Sequence, residues 1–135
     1  MQHRRAYFWA ENFACDPRGI SDTLGLTPSE VWVAGGTRLR GGRVASVNSW
    51  EIESQLGDST APLDEHIANL LDLVGPRLAT LRRTVAPLDT GINCVDYFPE
   101  FQGNGFLLSL ELLRRLVDLQ LSVDFDLYGS PSRDS

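Results

Sequence analysis

The chain has 135 residues, 42% of them hydrophobic and 22% charged. That suits one globular domain, long enough to bury about two-thirds of its unfolded surface without staples. A formal net charge of −6 excludes the basic footprint of a general nucleic-acid binder and accommodates either a basic partner or plain solubility.

Arg4 to Phe13 reads as the first strand. Tyr7, Trp9 and Glu11 share one face, and Ala6, Phe8 and Ala10 the other. Asp16-Pro17 starts a short helix over 17–24, with Asp as the N-cap and Pro in the first turn; Gly25 sits where a C-cap belongs. Val31-Trp32-Val33 is a short strand. A Gly-rich connection follows, and then a strand over Val44–Glu53, anchored by Trp50 and Ile52; the two strands pair as a hairpin. The longest helical signal runs through Leu63, Ile67, Leu70, Leu71 and Val74. Gly75-Pro76 predicts a break or kink before Leu78, Leu81 and Val85 resume the stripe, and Pro87 ends it. Ile92 to Phe98 is a strand. Ser109 caps a last helix whose apolar positions are Leu112, Leu113, Leu116 and Val117. The period then changes to two: Leu121, Val123, Phe125 and Leu127 alternate with Ser122, Asp124, Asp126 and Tyr128, a half-buried strand. Residues 129–135 form a polar tail. The order is β-α-β-β-α-β-α-β. It predicts an α+β domain, derived from a ferredoxin-like unit, with a five-stranded, mostly antiparallel sheet and helices on one face.

All 12 basic residues are Arg, and the complete absence of Lys points to a bacterium with GC-rich DNA. Cys15 and Cys94 form neither a disulfide framework nor a metal-binding spacing. The N-terminus lacks the apolar run of a signal peptide. No stretch reaches the ~20 apolar residues that span a bilayer. A cytoplasmic protein with free thiols, no cofactor and no membrane partner is expected.

The chain also resembles a bacterial family, domain of unknown function 4279. The resemblance rests on Asp16-Pro17 leading to Ile20 and Leu24-Gly25-Leu26, then Pro28, Trp32 with a Gly soon after, and Trp50. It continues with His66 in the amphipathic helix, Leu-Ser-Leu-Glu before the last helix, and the strand Asp124-Phe125-Asp126-Leu127-Tyr128. It implies an α+β bacterial domain and carries no established activity or catalytic residues. It also implies the company of small accessory proteins near toxin genes, hence an immunity-type role.

Three groups of side chains are candidates for chemistry. Asp124 and Asp126, at i and i+2 on a strand, present both carboxylates on one face within about 7 Å. They fit a divalent cation or an acid/base pair if Asp96 or Glu51 supplies a third carboxylate, or the solvated face of a sheet if none does. Tyr7, Trp9 and Glu11, joined by Asp124, Asp126 and Tyr128, would make a partner-binding surface of aromatics among acids, or Tyr7 and Trp9 would be core; alternation alone leaves both open. Arg38, Arg40 and Arg43 in the Gly-rich loop could wrap an anion, or mark an exposed hairpin tip. His66 reads as a surface or boundary histidine, and Cys94 as a small buried hydrophobe. With no nucleophile motif, the expected function is a non-catalytic protein-binding module, and the alternative is a small-ligand or metal site at Asp124 and Asp126.

Overall fold

The chain first crosses the middle of its own sheet. In the computed structural model, which describes residues 2–36, 41–98 and 105–129, β1 (His3–Glu11) runs between two antiparallel neighbours, β3 (Ser49–Glu53) and β4 (Asp89–Phe98). β2 (Glu30–Trp32) borders β3 antiparallel, and β5 (Ser122–Gly129) borders β4 parallel. The order is β2-β3-β1-β4-β5. The single parallel pair follows from α3 (Leu110–Asp118), whose crossover returns the chain to the same end of the sheet. The architecture is α+β with a mixed sheet, as the element order predicts.

Capping chemistry sets the helix boundaries. Asp16 accepts the Arg18 N–H ahead of α1 (Pro17–Leu24), and Gly25, at φ 68°, closes that helix in the left-handed region that glycine tolerates. Ser109 accepts the Leu112 N–H at the start of α3.

α2 (Leu63–Thr84) departs from expectation: it is one continuous helix through Pro76. A proline inside a helix costs about 3 kcal/mol. Beyond it, Leu78 and Leu81 are fully buried, each contributing about 1.5–3 kcal/mol, so continuing the helix wins. Gly75 helps, since its missing side chain lets Leu119 approach.

The sheet positions Ala6, Phe8, Ala10, Trp50, Ile52, Ile92 and Cys94 face the helices and form the core with the α2 stripe, Ile20 and Leu24 of α1, and Leu112 and Leu116 of α3. Trp50 packs edge-on to Phe8 and donates its indole N–H to Ser21 Oγ at 2.9 Å. Cys94 is the buried hydrophobe expected, its thiol pushed up to about 12 by burial, and both cysteines are free.

Four local expectations need correction. The strand placed at Val44–Glu53 begins only at Ser49, because the Asn48 side chain takes over backbone groups: it accepts from Ala34 N–H and donates to Phe13 C=O. His66 is not at the surface; it is fully buried in the α2 stripe, with Nδ1 2.6 Å from Ser54 Oγ. On α3 only Leu112 and Leu116 turn inward, while Leu113 and Val117 are exposed. On β5, an edge strand, Val123 and Phe125 are half-buried and Leu127 is exposed.

Candidate functional site

With the even-numbered residues of β1 under the helices, its odd-numbered residues occupy the reverse of the sheet. The register then sets out this open face row by row. Trp9 lies between Glu51 on β3 and Gly91 on β4, and Glu51 pairs in turn with Glu30 on β2. One row along, Tyr7 lies between Glu53 and Asn93, and Asn93 pairs with Asp124 on β5. The next row runs Arg5, Val95, Asp126.

Gly91 makes the arrangement possible. A Cβ there would stand 2.5 Å from Trp9 Cζ2 and 2.8 Å from Cε2, so the indole occupies the space of the missing side chain. A glycine inside a strand marks such a close approach. The half-buried ring packs against Gly91 and lines a basin of about 490 Å³, whose walls also include Tyr7, Glu11, Glu51, Asn93, Asp124 and Asp126. A neighbouring hollow of about 310 Å³ shares Tyr7, Glu51, Asn93 and Asp126 and reaches Trp32 and Tyr128. Tyr128 stacks on Tyr97 at 5.1 Å, and Tyr97 on His3 at 4.6 Å.

Polar groups hold the rings in place. Asn93 Nδ2 donates to Tyr7 Oη at 2.7 Å and to Asp126 Oδ2 at 3.2 Å, spanning β1, β4 and β5. Burial raises the Tyr7 hydroxyl above its usual range. Glu51 is pushed up to about 7, first by partial burial, then by the Glu30 and Glu11 charges; Arg5 offsets little of this. Arg5 itself pairs with Glu53 at 3.0 Å. Among the described residues, the ion pairs leave Glu11, Glu30, Glu51, Asp124 and Asp126 without a cation.

The six residues expected to form a binding surface, Tyr7, Trp9, Glu11, Asp124, Asp126 and Tyr128, therefore share one side of the sheet. The core alternative for Tyr7 and Trp9 is set aside, since Ala6, Phe8 and Ala10 are the fully buried set. Glu51 joins this face. Asp96 does not: it is fully buried on the helix side, within 3.3 Å of Arg4 Nε. An even offset from Ile92 and Cys94 puts it there. Among the described residues, no three His, Cys, Asp or Glu are placed to hold a metal ion. Arg38 and Arg40 lie outside the described residues, and Arg43 is exposed. Sequence reasoning overlooked Asn93 and Gly91, although a glycine amid strand-forming residues was a usable signal.

Two other places are chemically quieter. Ser54 and His66 form a buried pair whose Nε2 meets no hydrogen-bond partner among the described residues; both are shielded from solvent. A hollow of about 370 Å³ between α2 and α3 has its Arg115 and Asp72 bound to each other at 2.6 Å.

The profile of one family, described as a domain of unknown function (DUF4279), matches residues 1–130. The chain belongs to the DUF4279 family. No curated protein and no solved structure matches it. Membership spans every element of the fold, so the open face lies within the DUF4279 unit. No helix among the described residues is long and apolar enough to cross a membrane.

Proposed function

We propose that this protein is a non-catalytic binding module, acting in the cytoplasm, whose open sheet face docks a basic protein partner. The observation that carries the reading is the basin over Trp9, where half-buried rings stand among four carboxylates, Glu11, Glu51, Asp124 and Asp126, that no ion pair among the described residues engages. Aromatic anchors within a polar surround are what protein interfaces use. An acidic field speeds the encounter with a basic partner and weakens with salt. In its specific form the partner is a cognate toxin, and the module is an immunity protein that covers it.

Calorimetric titration with the product of the neighbouring gene tests this. The expected result is a salt-sensitive complex, weakened severalfold when Asp124 and Asp126 are both changed to Asn. Absence of heat at two temperatures, together with separate elution in gel filtration, overturns the immunity reading.

A further inference from the structure

We propose that the basin over Trp9 is a guanidinium site, which takes one arginine side chain between the indole face and the flanking carboxylates. This rests on the binding reading above and names the chemical group that reading requires.

Three features converge on a planar cation. The first is the platform: the Trp9 indole packs against Gly91, is half-buried and lines the basin, and indole is the best aromatic surface for a cation. The second is the flanking charge. Glu51 neighbours Trp9 directly across β1 and β3, Glu11 follows two residues along the same face, and Asp124 and Asp126 close the β5 side. A guanidinium stacked on the ring carries its N–H donors in its own plane, directed sideways toward these acceptors. A quaternary ammonium has no donors and would leave them unpaired. The third is the state of Arg5, the cation that acts on Glu51: among the described residues its ion pair is with Glu53, at 3.0 Å. The Asn93 amide, bonded to both Tyr7 and Asp126, keeps the β5 wall in register with the platform.

The electrostatics agree. Partial burial and the like charges of Glu30 and Glu11 work against ionising Glu51, while Arg5 favours it. Besides these, Tyr7, Asp124 and Asp126 line the same basin. An incoming cation relieves the repulsion and lowers the carboxyl's pKa, so binding near neutral pH releases a proton. Affinity then falls as the solution is acidified below about 7.

The probes are acetyl-Gly-Arg-Gly-amide, its citrulline counterpart, which has a similar shape without the charge, and tetramethylammonium chloride. Free argininamide distinguishes a metabolite-sized ligand from a peptide-borne side chain. Chemical-shift titration of the ¹⁵N-labelled protein follows the Trp9 indole N–H, assigned by its loss in Trp9→Leu. The arginine peptide should shift that signal saturably, and citrulline should leave it unmoved. Tetramethylammonium should bind at least about tenfold more weakly than the arginine peptide. Glu51→Gln should weaken binding about tenfold and abolish proton release, read as a calorimetric heat independent of buffer. Asp118→Asn, on the helix side, should change nothing. Equal shifts from arginine and citrulline, or none from either at tens of millimolar, would overturn the site. Because Trp9→Leu could unfold the chain, Glu51→Gln, with a dispersed spectrum, is the deciding variant. If the neighbouring gene's product binds while the arginine peptide does not, the guanidinium site fails and the docking surface stands. The converse outcome removes the protein partner and leaves a small-cation site.

Discussion

Glu51→Gln is the substitution with the sharpest expected pH signature. The Glu51 carboxyl is raised from an ordinary value of 4.5 to about 7. At about 1.4 kcal/mol per pH unit the full difference is about 3 kcal/mol. One side of Glu51 meets solvent in the basin, and screening there reduces this to about 1–2 kcal/mol. The sign follows from which state holds the proton. Between 4.5 and about 7 the folded chain keeps a proton that the unfolded chain has released, so stability falls as pH rises through that window and levels above it. Gln mimics the protonated acid at every pH. The variant should match the parent near pH 4.5 and exceed it by about 1–2 kcal/mol above pH 7. Urea melts of both proteins across this range, taken as a difference, cancel every other titrating group. A flat difference, or a parent more stable than the variant at high pH, would refute the account of how β2, β3 and β1 crowd their acids.

Four further outcomes are expected. Gly91→Ala puts a methyl 2.5 Å from the Trp9 ring and should cost about 1–3 kcal/mol in urea melts, with a displaced Trp9 indole resonance. His66 is held below its usual range by burial, so stability should drop as pH falls below about 6.5 toward the folded value; His66→Leu should remove that slope while losing about 1 kcal/mol through the unpaired Ser54 hydroxyl. Arg82 on α2 donates to the carbonyls of Leu119 and Gln120 and to Thr90 Oγ1; Arg82→Ala should speed amide exchange in the turn before β5 and cost about 1–3 kcal/mol, and Lys, lacking the fork, should not restore it. Ca²⁺, Mg²⁺ and Mn²⁺ should leave the melting temperature unchanged, since binding to the folded state alone would raise it; a rise with any of them would reinstate a cation at Asp124 and Asp126.

The local code was readable wherever a side chain acts on its own backbone. Asp16, Gly25 and Ser109 placed helix ends correctly because capping bonds span only a few residues. Pro76 misled for the opposite reason: its penalty is local, whereas Val74, Leu78 and Leu81 repay it against a sheet distant in sequence. His66 misled similarly. A polar residue on an apolar stripe looks like a boundary position until a partner, here Ser54, arrives from another strand.

Sequence alone determined the element order and divided β1 into Ala6, Phe8, Ala10 on one side and Tyr7, Trp9, Glu11 on the other. It paired Asp124 with Asp126 by the same alternation. Which side of β1 is covered was beyond it, because a period of two reads the same from either face, and the choice depends on where α1, α2 and α3 dock. Only the tertiary structure seated Trp9 on Gly91, brought Glu51 beside it and sent Asp96 to Arg4 beneath the helices. Those neighbours come from strands about 40 to 90 residues apart, joined by ladder register, and register is a long-range contact that no window of sequence contains.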